Sequence, residues 1–210
     1  FEANYDVTKK NKFLALYEKN KILIYSLLSL IVFLFVSINL YFSFIEKKKI
    51  TLSEKYIEAK IYLEKKENDK AKNILKDIIY ENEPTYSTLG LFLIINQKLI
   101  TDDTEILSLF DHLLENNKFS KELKNLLVFK RMLLNSDSID EEQLIKLAKP
   151  MINSNTIWKP HILLLLGDYF SSKKENIKAI EFYNQILTIK DAPQDIFNHA
   201  KLQIALMSNE

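Results

Sequence analysis

The sequence predicts an all-α protein in which one transmembrane helix precedes an array of about four helical hairpins and a last, capping helix. Three observations predict this fold class. Residues 22–45 carry no charged side chain. Apolar residues then recur with helical spacing along the rest of the chain. The chain holds only two glycines, which leaves little material for tight β-hairpin turns or phosphate-binding loops.

Composition also excludes several classes of function. The chain has no cysteine, which excludes disulfides, zinc–cysteine sites and thiol nucleophiles. Its formal net charge is +1 at pH 7, and such a balanced charge leaves no electrostatic footprint for nucleic acid. The sequence also lacks the nucleophile-elbow, P-loop and zincin motifs.

The apolar segment 22–45 is predicted to be a membrane anchor. At 1.5 Å per residue it is long enough to cross a hydrocarbon core of about 30 Å with some tilt. Lysines flank it at Lys19, Lys21 and residues 47–49. A buried core helix would not be apolar on every side between such flanks. A cleaved signal peptide would be shorter and end in small residues, so we expect the anchor to be retained.

The anchor divides the chain into three predicted parts. These are a short basic tail at 1–21, the transmembrane helix at 22–45 and the repeat domain at 46–210. Because the sequence begins at Phe1, further residues are expected before it. The rule that positive charge stays inside does not orient the chain, because each flank carries five lysines. Those lysines are Lys9, Lys10, Lys12, Lys19 and Lys21 before the span, and Lys47, Lys48, Lys49, Lys55 and Lys60 after it.

One apolar pattern recurs four times after the anchor. Five apolar residues lie at i, i+3, i+4, i+7 and i+8, starting at Ala71, Ile106, Leu144 and Ala179. The starts are 35, 38 and 35 residues apart. Each set places one apolar stripe on a helix, and the near-equal spacing indicates a repeat. Other predicted helices precede the stripes near 52–66, 85–98, 120–135 and 158–172, and the capping helix lies near 194–208.

Three of the four prolines agree with this assignment. Pro84, Pro160 and Pro193 lie at or just before expected helix starts, where the missing N–H costs little. Pro150 falls inside the third stripe. We therefore expect a kink there, or a helix broken near Lys149.

Paired antiparallel helices with a period near 34 residues are typical of the tetratricopeptide class. The first and fourth pairs match its pattern best. Small residues at 59, 71, 167 and 179 are predicted where the two helices of a pair approach closely. The middle pairs lack them, so other helical solenoids remain possible. The matching positions are Ala59, Tyr62, Ala71, Leu75 and Pro84 in the first pair, and Leu166, Gly167, Phe170, Ala179, Tyr183 and Pro193 in the fourth.

The sequence predicts no catalytic residue, metal site, cofactor or small-molecule substrate. His112, His161 and His199 are isolated, with no second ligand at i+3 or i+4. The acidic pairs 102–103 and 141–142 lie at expected helix starts, where acidic side chains complement the helix dipole. The chain is therefore predicted to bind proteins and not to be an enzyme.

The predicted protein-binding surface is the concave face of the solenoid, lined by the first helix of each pair. Trp158 could anchor a ligand, but its position favours a role at the joint between the third and fourth pairs. The residues predicted to form the concave face are Tyr56, Lys60, His161, Leu164 and Asp168.

Two segments carry a resemblance to a known family. The opening NYDVTKKNKFLALYEKNK leads straight into the span. Near the end, WKPHILLLLGDYFSSKKENIKAIEFYNQIL is followed by a helix ending in KLQIALM. With one span, a brief linker and a degenerate repeat array between them, nearly the whole chain resembles the YfgM-type ancillary subunit of the bacterial Sec translocon.

The resemblance implies a location and a role. It implies an inner-membrane protein of a Gram-negative bacterium, with its N-terminus in the cytoplasm and its repeats in the periplasm. It also implies partners, namely the Sec translocon and the periplasmic chaperones or secretory clients between which proteins are passed. Two alternatives remain open. One is a generic membrane-tethered scaffold for envelope assembly or cell division, and the other is an accessory chain of an enzyme or sensor.

Overall fold

The computed structural model describes the backbone of residues 12–208 and the side chains of Tyr17 and residues 19–208. This described part contains nine α-helices and no strand, which confirms the predicted all-α fold class. Residues 1–11 of the predicted basic tail lie outside it. The helices are α1 (Lys12–Glu64), α2 (Asn68–Tyr80), α3 (Pro84–Asn96), α4 (Asp103–Asn116), α5 (Lys121–Leu134), α6 (Glu141–Ile152), α7 (Lys159–Ser172), α8 (Asn176–Leu187) and α9 (Gln194–Met207).

The chain divides into two compact units, Phe1–Leu52 and Ser53–Glu210. The first contains most of α1, whose helical geometry is interrupted at Asn20 (φ −120°, ψ 17°). The apolar side chains of α1 from Leu27 to Phe44 are exposed, with Phe33 at 67% and Phe35 at 68%. None of the most apolar window of α1 is buried, so that part of the helix does not belong to a core of the described chain. Length, composition and exposure make it a candidate membrane-spanning helix near the N-terminus.

The second unit is an array of helical hairpins in which successive helices pack on one another. The four predicted stripes supply the buried side chains of α2, α4, α6 and α8. Burial of one stripe per helix is what the 3.6-residue period requires of an amphipathic helix. Towards the C-terminus, α5 to α9 share one cluster of buried apolar residues, from Phe129 to Ala200.

Three hairpin turns share one backbone arrangement, which makes the repetition visible in the structure. After α1, α3 and α7, a lysine takes a left-handed conformation, at Lys66 (φ 62°), Lys98 (φ 51°) and Lys174 (φ 62°). The next N–H then donates to a carbonyl five residues back, closing a Schellman turn in which glycine is the usual residue. These bonds are Glu67 N to Tyr62 O at 2.9 Å, Leu99 N to Ile94 O at 3.0 Å and Glu175 N to Phe170 O at 2.9 Å.

Of the two expectations at Pro150, the break near Lys149 is wrong, and the kink stays a prediction. Helix α6 continues through Pro150 to Ile152. Pro150 cannot donate to the carbonyl of Lys146, and its ring crowds that carbonyl. Pro150 and Lys146 are both exposed, so water can satisfy that carbonyl. The last turn still closes, because Asn153 N donates to the carbonyl of Lys149 at 3.1 Å.

The other predicted helix-start residues are found at helix starts. Pro84 and Pro160 lie in the first turns of α3 and α7, and Pro193 directly precedes α9. Asp102 caps α4, because its carboxylate accepts a hydrogen bond from Thr104 N at 2.9 Å. The acidic pair 141–142 occupies the first turn of α6.

Candidate protein-binding groove

The residues predicted to pack the repeats are buried or half-buried in the first and fourth hairpins. Tyr62 is half-buried and Gly167 is buried. A Cβ atom built on Gly167 would lie 2.3 Å from Cε1 of Tyr183. Only glycine therefore fits where α7 crosses α8. The fully buried members of the set are Ala59, Ala71, Leu75, Phe170, Ala179 and Tyr183.

The predicted concave-face residues lie on two helices, α1 and α7. Tyr56 is half-buried beside the ring of Tyr86, with the centroids 6.4 Å apart, and Lys60 is exposed on the same helix. His161, Leu164 and Asp168 lie on α7. Among the described residues, the α1 pair and the α7 trio share no hydrogen bond, ion pair or ring contact.

Asp168 has a packing role. Its carboxylate accepts a hydrogen bond from the hydroxyl of Tyr183 at 2.7 Å and lies 3.2 Å from Nε2 of His199. It therefore links α7 to α8 and α9. Burial, followed by the hydrogen bond to Asp168, raises the pKa of the Tyr183 phenol well above its usual value. The phenol therefore stays neutral, and its hydroxyl remains the donor in the hydrogen bond to Asp168.

Trp158 contacts α5 of the third hairpin, at the joint between the third and fourth hairpins where its role is predicted. Its Nε1 donates to the carbonyl of Glu122 on α5 at 3.0 Å. Its ring stacks on Phe129, with the centroids 6.0 Å apart and an angle of 24° between the rings. Thr156, in the same loop, donates to the Glu122 carboxylate at 2.6 Å. The loop before α7 is therefore held to α5 by several polar contacts and one aromatic stack.

His161 belongs to the same joint. Its ring lies 5.3 Å from the ring of Trp158 and 5.8 Å from that of Phe129. Burial lowers the pKa of the imidazole below its usual value, and the charge of Lys130 lowers it further. Asp195 and the backbone carbonyl of Ile157 act in the opposite direction. A neutral imidazole, which needs no counter-ion, suits this aromatic surrounding.

An apolar groove lies over α3, α4 and α5, and we call it the α3–α5 groove. Its cavity volume is about 500 Å³, within the range of about 300–1,000 Å³ typical of ligand sites. Leu133 is 46% exposed, and Phe92 and Ile95 are half-buried. The lining residues are Phe92, Ile95 and Asn96 of α3, Phe110 of α4, and Lys130, Leu133 and Leu134 of α5.

The groove exists because the second half of α3, from Leu89 to Ile95, is apolar on every side. No residue from Pro84 to Asn96 is charged. One face of α3 packs on α2. On α3, Leu91 and Ile94 are fully buried. Phe92 and Ile95 point away from that contact and are covered only in part. A helix that is apolar all round is one whose second face is also covered by a partner.

Lys130 is the one charged residue in the described lining of the groove. It is exposed, and it forms no ion pair, hydrogen bond or cation–π contact within the described part of the chain. Its neighbour Arg131 is occupied by Asp111 on α4, with nitrogen–oxygen distances of 2.7 and 3.0 Å. That bidentate pair holds α4 and α5 together beside the groove.

No residue of this groove was named as a binding residue from the sequence. The concave-face residues that were named lie on the first and fourth hairpins, whereas the groove is lined mainly by α3 and α5, the first helices of the second and third hairpins. The available signal was the uncharged run TLGLFLII in α3. A helix that buries only one stripe carries polar residues on its other face, and this run is too apolar for that pattern.

No family model, curated protein or solved structure matched the chain. The resemblance to the ancillary translocon subunit therefore rests on the sequence motifs and stays a prediction. Within the described residues there is no group of three or more His, Asp or Glu side chains placed to hold a metal ion.

Proposed function

We propose that this protein is a membrane-anchored scaffold whose α3–α5 groove binds apolar segments of partner proteins. The observation that carries the proposal is the groove itself, where large apolar side chains of two successive hairpins face a common opening. Exposed apolar surface of this kind is costly in water and marks interaction sites in soluble domains. A partner's apolar side chains would replace water there.

A protein segment suits this groove better than a small polar metabolite. The described lining offers one ammonium group and one amide among apolar side chains, too few polar groups to orient a small polar molecule. Helical repeat arrays present extended surfaces to peptides and helices. A membrane anchor would raise the effective concentration of a weak site for partners at the same membrane.

We further propose the partner and the place that the resemblance implies. The chain would lie in a bacterial inner membrane, with its N-terminus in the cytoplasm and its repeat array in the periplasm. Beside the Sec translocon, it would help to pass secreted proteins to periplasmic chaperones. The candidate span and the motifs at both ends of the chain support this proposal.

Protease protection in spheroplasts tests the proposed topology. We expect a protease added from outside to cleave the region after Ile50, because that region would face the periplasm. Cleavage products are detected with an antibody against the C-terminal helix. If the region resists the protease until the membrane is lysed, the array is cytoplasmic, and the translocon role has to be abandoned.

Photo-crosslinking in cells tests the groove. We expect a photoreactive amino acid at Leu133 of the full chain to capture secretory proteins or periplasmic chaperones, identified by mass spectrometry. Leu202 on α9 is the matched control, because it is 58% exposed against 46% for Leu133 but lies outside the groove. Equal capture from both positions, or none from Leu133, contradicts binding in the groove. Capture of envelope-assembly or division proteins alone supports the generic scaffold instead.

A further inference from the structure

We infer that the α3–α5 groove selects apolar segments that also carry a carboxylate side chain, with Lys130 as the partner of that carboxylate. This inference rests on the proposed function, because it concerns what the groove binds. It goes further by stating the chemical class of the bound segment. The inference comes from charge complementarity, because the ammonium group of Lys130 has no partner among the described residues and the rest of the described lining is uncharged.

Lys130 is the available cation at this site. Two other basic groups near the groove have acidic partners, since Arg131 pairs with Asp111 at 2.7 Å, and Lys76 of α2 pairs with Glu105 of α4 at 2.8 Å. Lys130 has no such partner within the described residues. The described lining contains no acidic residue. A carboxylate brought by a ligand would therefore meet one cation and no competing anion.

The apolar surroundings increase the effect of this single charge. A bound segment that covers Phe92, Ile95 and Leu133 would exclude water from one side of Lys130. A charge pair at such a partly covered position is stronger than one in open water. A ligand lysine at the same place would meet like-charge repulsion instead. The groove would thus discriminate among apolar segments by the sign of one side chain.

The neighbouring histidine offers an independent readout of this pairing. Lys130 already acts on His161, whose imidazole has a lowered pKa in part because of that ammonium charge. A carboxylate docked on Lys130 would offset that charge. The pKa of His161 would then rise on binding, whereas a purely apolar ligand would add no negative charge. Asp195, the other charged group acting on His161, is the same in both cases.

The test uses the full chain in lipid nanodiscs and three fluorescent peptides of leucine, phenylalanine and serine that differ only at one central residue. That residue is glutamate, glutamine or lysine. We expect the glutamate peptide to bind about fivefold more tightly than the glutamine peptide, as one partly covered ion pair allows, and the lysine peptide to bind most weakly. Fluorescence anisotropy gives the Kd values. NMR titration of His161 gives its pKa with each peptide.

Variants of the protein test whether the charge of Lys130 causes the preference for the glutamate peptide. Lys130→Gln should abolish the preference for glutamate, and Lys130→Glu should reverse it in favour of lysine. Lys201→Gln, which removes an exposed lysine on α9 outside the groove, should leave the preference unchanged. The preference should also weaken as salt is raised, because salt screens exposed charges.

The outcomes separate this inference from the proposed function. If all three peptides bind equally well, or if the preference survives in Lys130→Gln, the inference is overturned while binding in the groove stands. If none of the peptides binds, both the inference and the proposed function are overturned. A glutamate preference that is lost in Lys130→Gln, together with a raised His161 pKa, supports the inference.

Discussion

Replacing Gly167 by alanine is expected to lower the free energy of unfolding by about 3 kcal/mol, because the added methyl group has no space. Its Cβ would lie 2.3 Å from Cε1 and 2.6 Å from Cδ1 of Tyr183, well inside van der Waals contact. The ring of Tyr183 cannot move aside easily. It is fully buried, and its hydroxyl donates to Asp168 at 2.7 Å. Helices α7 and α8 would have to separate.

Gly90 is the matched control for this substitution. A Cβ atom there would lie 3.2 Å from the carbonyl oxygen of Leu75, which is close but not overlapping. Alanine gains about 1 kcal/mol over glycine in a helix interior, and that gain offsets the crowding. We expect Gly90→Ala to change stability much less than Gly167→Ala. Urea unfolding of the full chain followed by circular dichroism measures both, and equal effects would contradict the close approach at Gly167.

Replacing Trp158 by alanine is expected to cost about 3 kcal/mol, the lower end for removal of a large aromatic side chain. The substitution removes the stack on Phe129 and the hydrogen bond from Nε1 to the carbonyl of Glu122. The loss should be local, because each hairpin of such an array contacts chiefly its neighbours. We expect faster amide hydrogen exchange in α7 to α9, with α2 to α4 less affected.

Trp158→Phe separates the two contributions. Phenylalanine can keep the stack on Phe129 but cannot donate to the carbonyl of Glu122. It should therefore lose only about 1 kcal/mol, the usual net value of one hydrogen bond. If the alanine and phenylalanine variants are equally stable, the aromatic stack does not stabilise the joint between the third and fourth hairpins, which contradicts the prediction. Hydrogen exchange followed by mass spectrometry on the full chain distinguishes these cases.

The positions of the helices could be predicted from the sequence because the signals for them are local. The stripe that starts at Ala179 and the glycine at 167 each report on one helix and its immediate partner. Caps are equally local, as Asp102 shows at the start of α4. The error at Pro150 came from a rule for helix interiors, whereas this proline lies two residues before the helix ends.

The groove could not be predicted in the same way, because it depends on the spacing of two helices that are not consecutive. Phe92 on α3 and Leu133 on α5 both look like core residues in a one-dimensional pattern. Only the packed array shows that Leu133 is 46% exposed and that Phe92 is half-buried beside a cavity. That Lys130 has no ion pair among the described residues is likewise a property of the packed structure.

The turns closed by Lys66, Lys98 and Lys174 show what the scarcity of glycine means for the array. A residue with a Cβ atom in the left-handed region costs about 1–2 kcal/mol relative to the right-handed one. With two glycines in the whole chain, both inside helices, these turns are made by lysine. The array is therefore less stable than its own backbone geometry would permit. Three glycine substitutions at these positions are the natural starting point for engineering a more robust form of the chain.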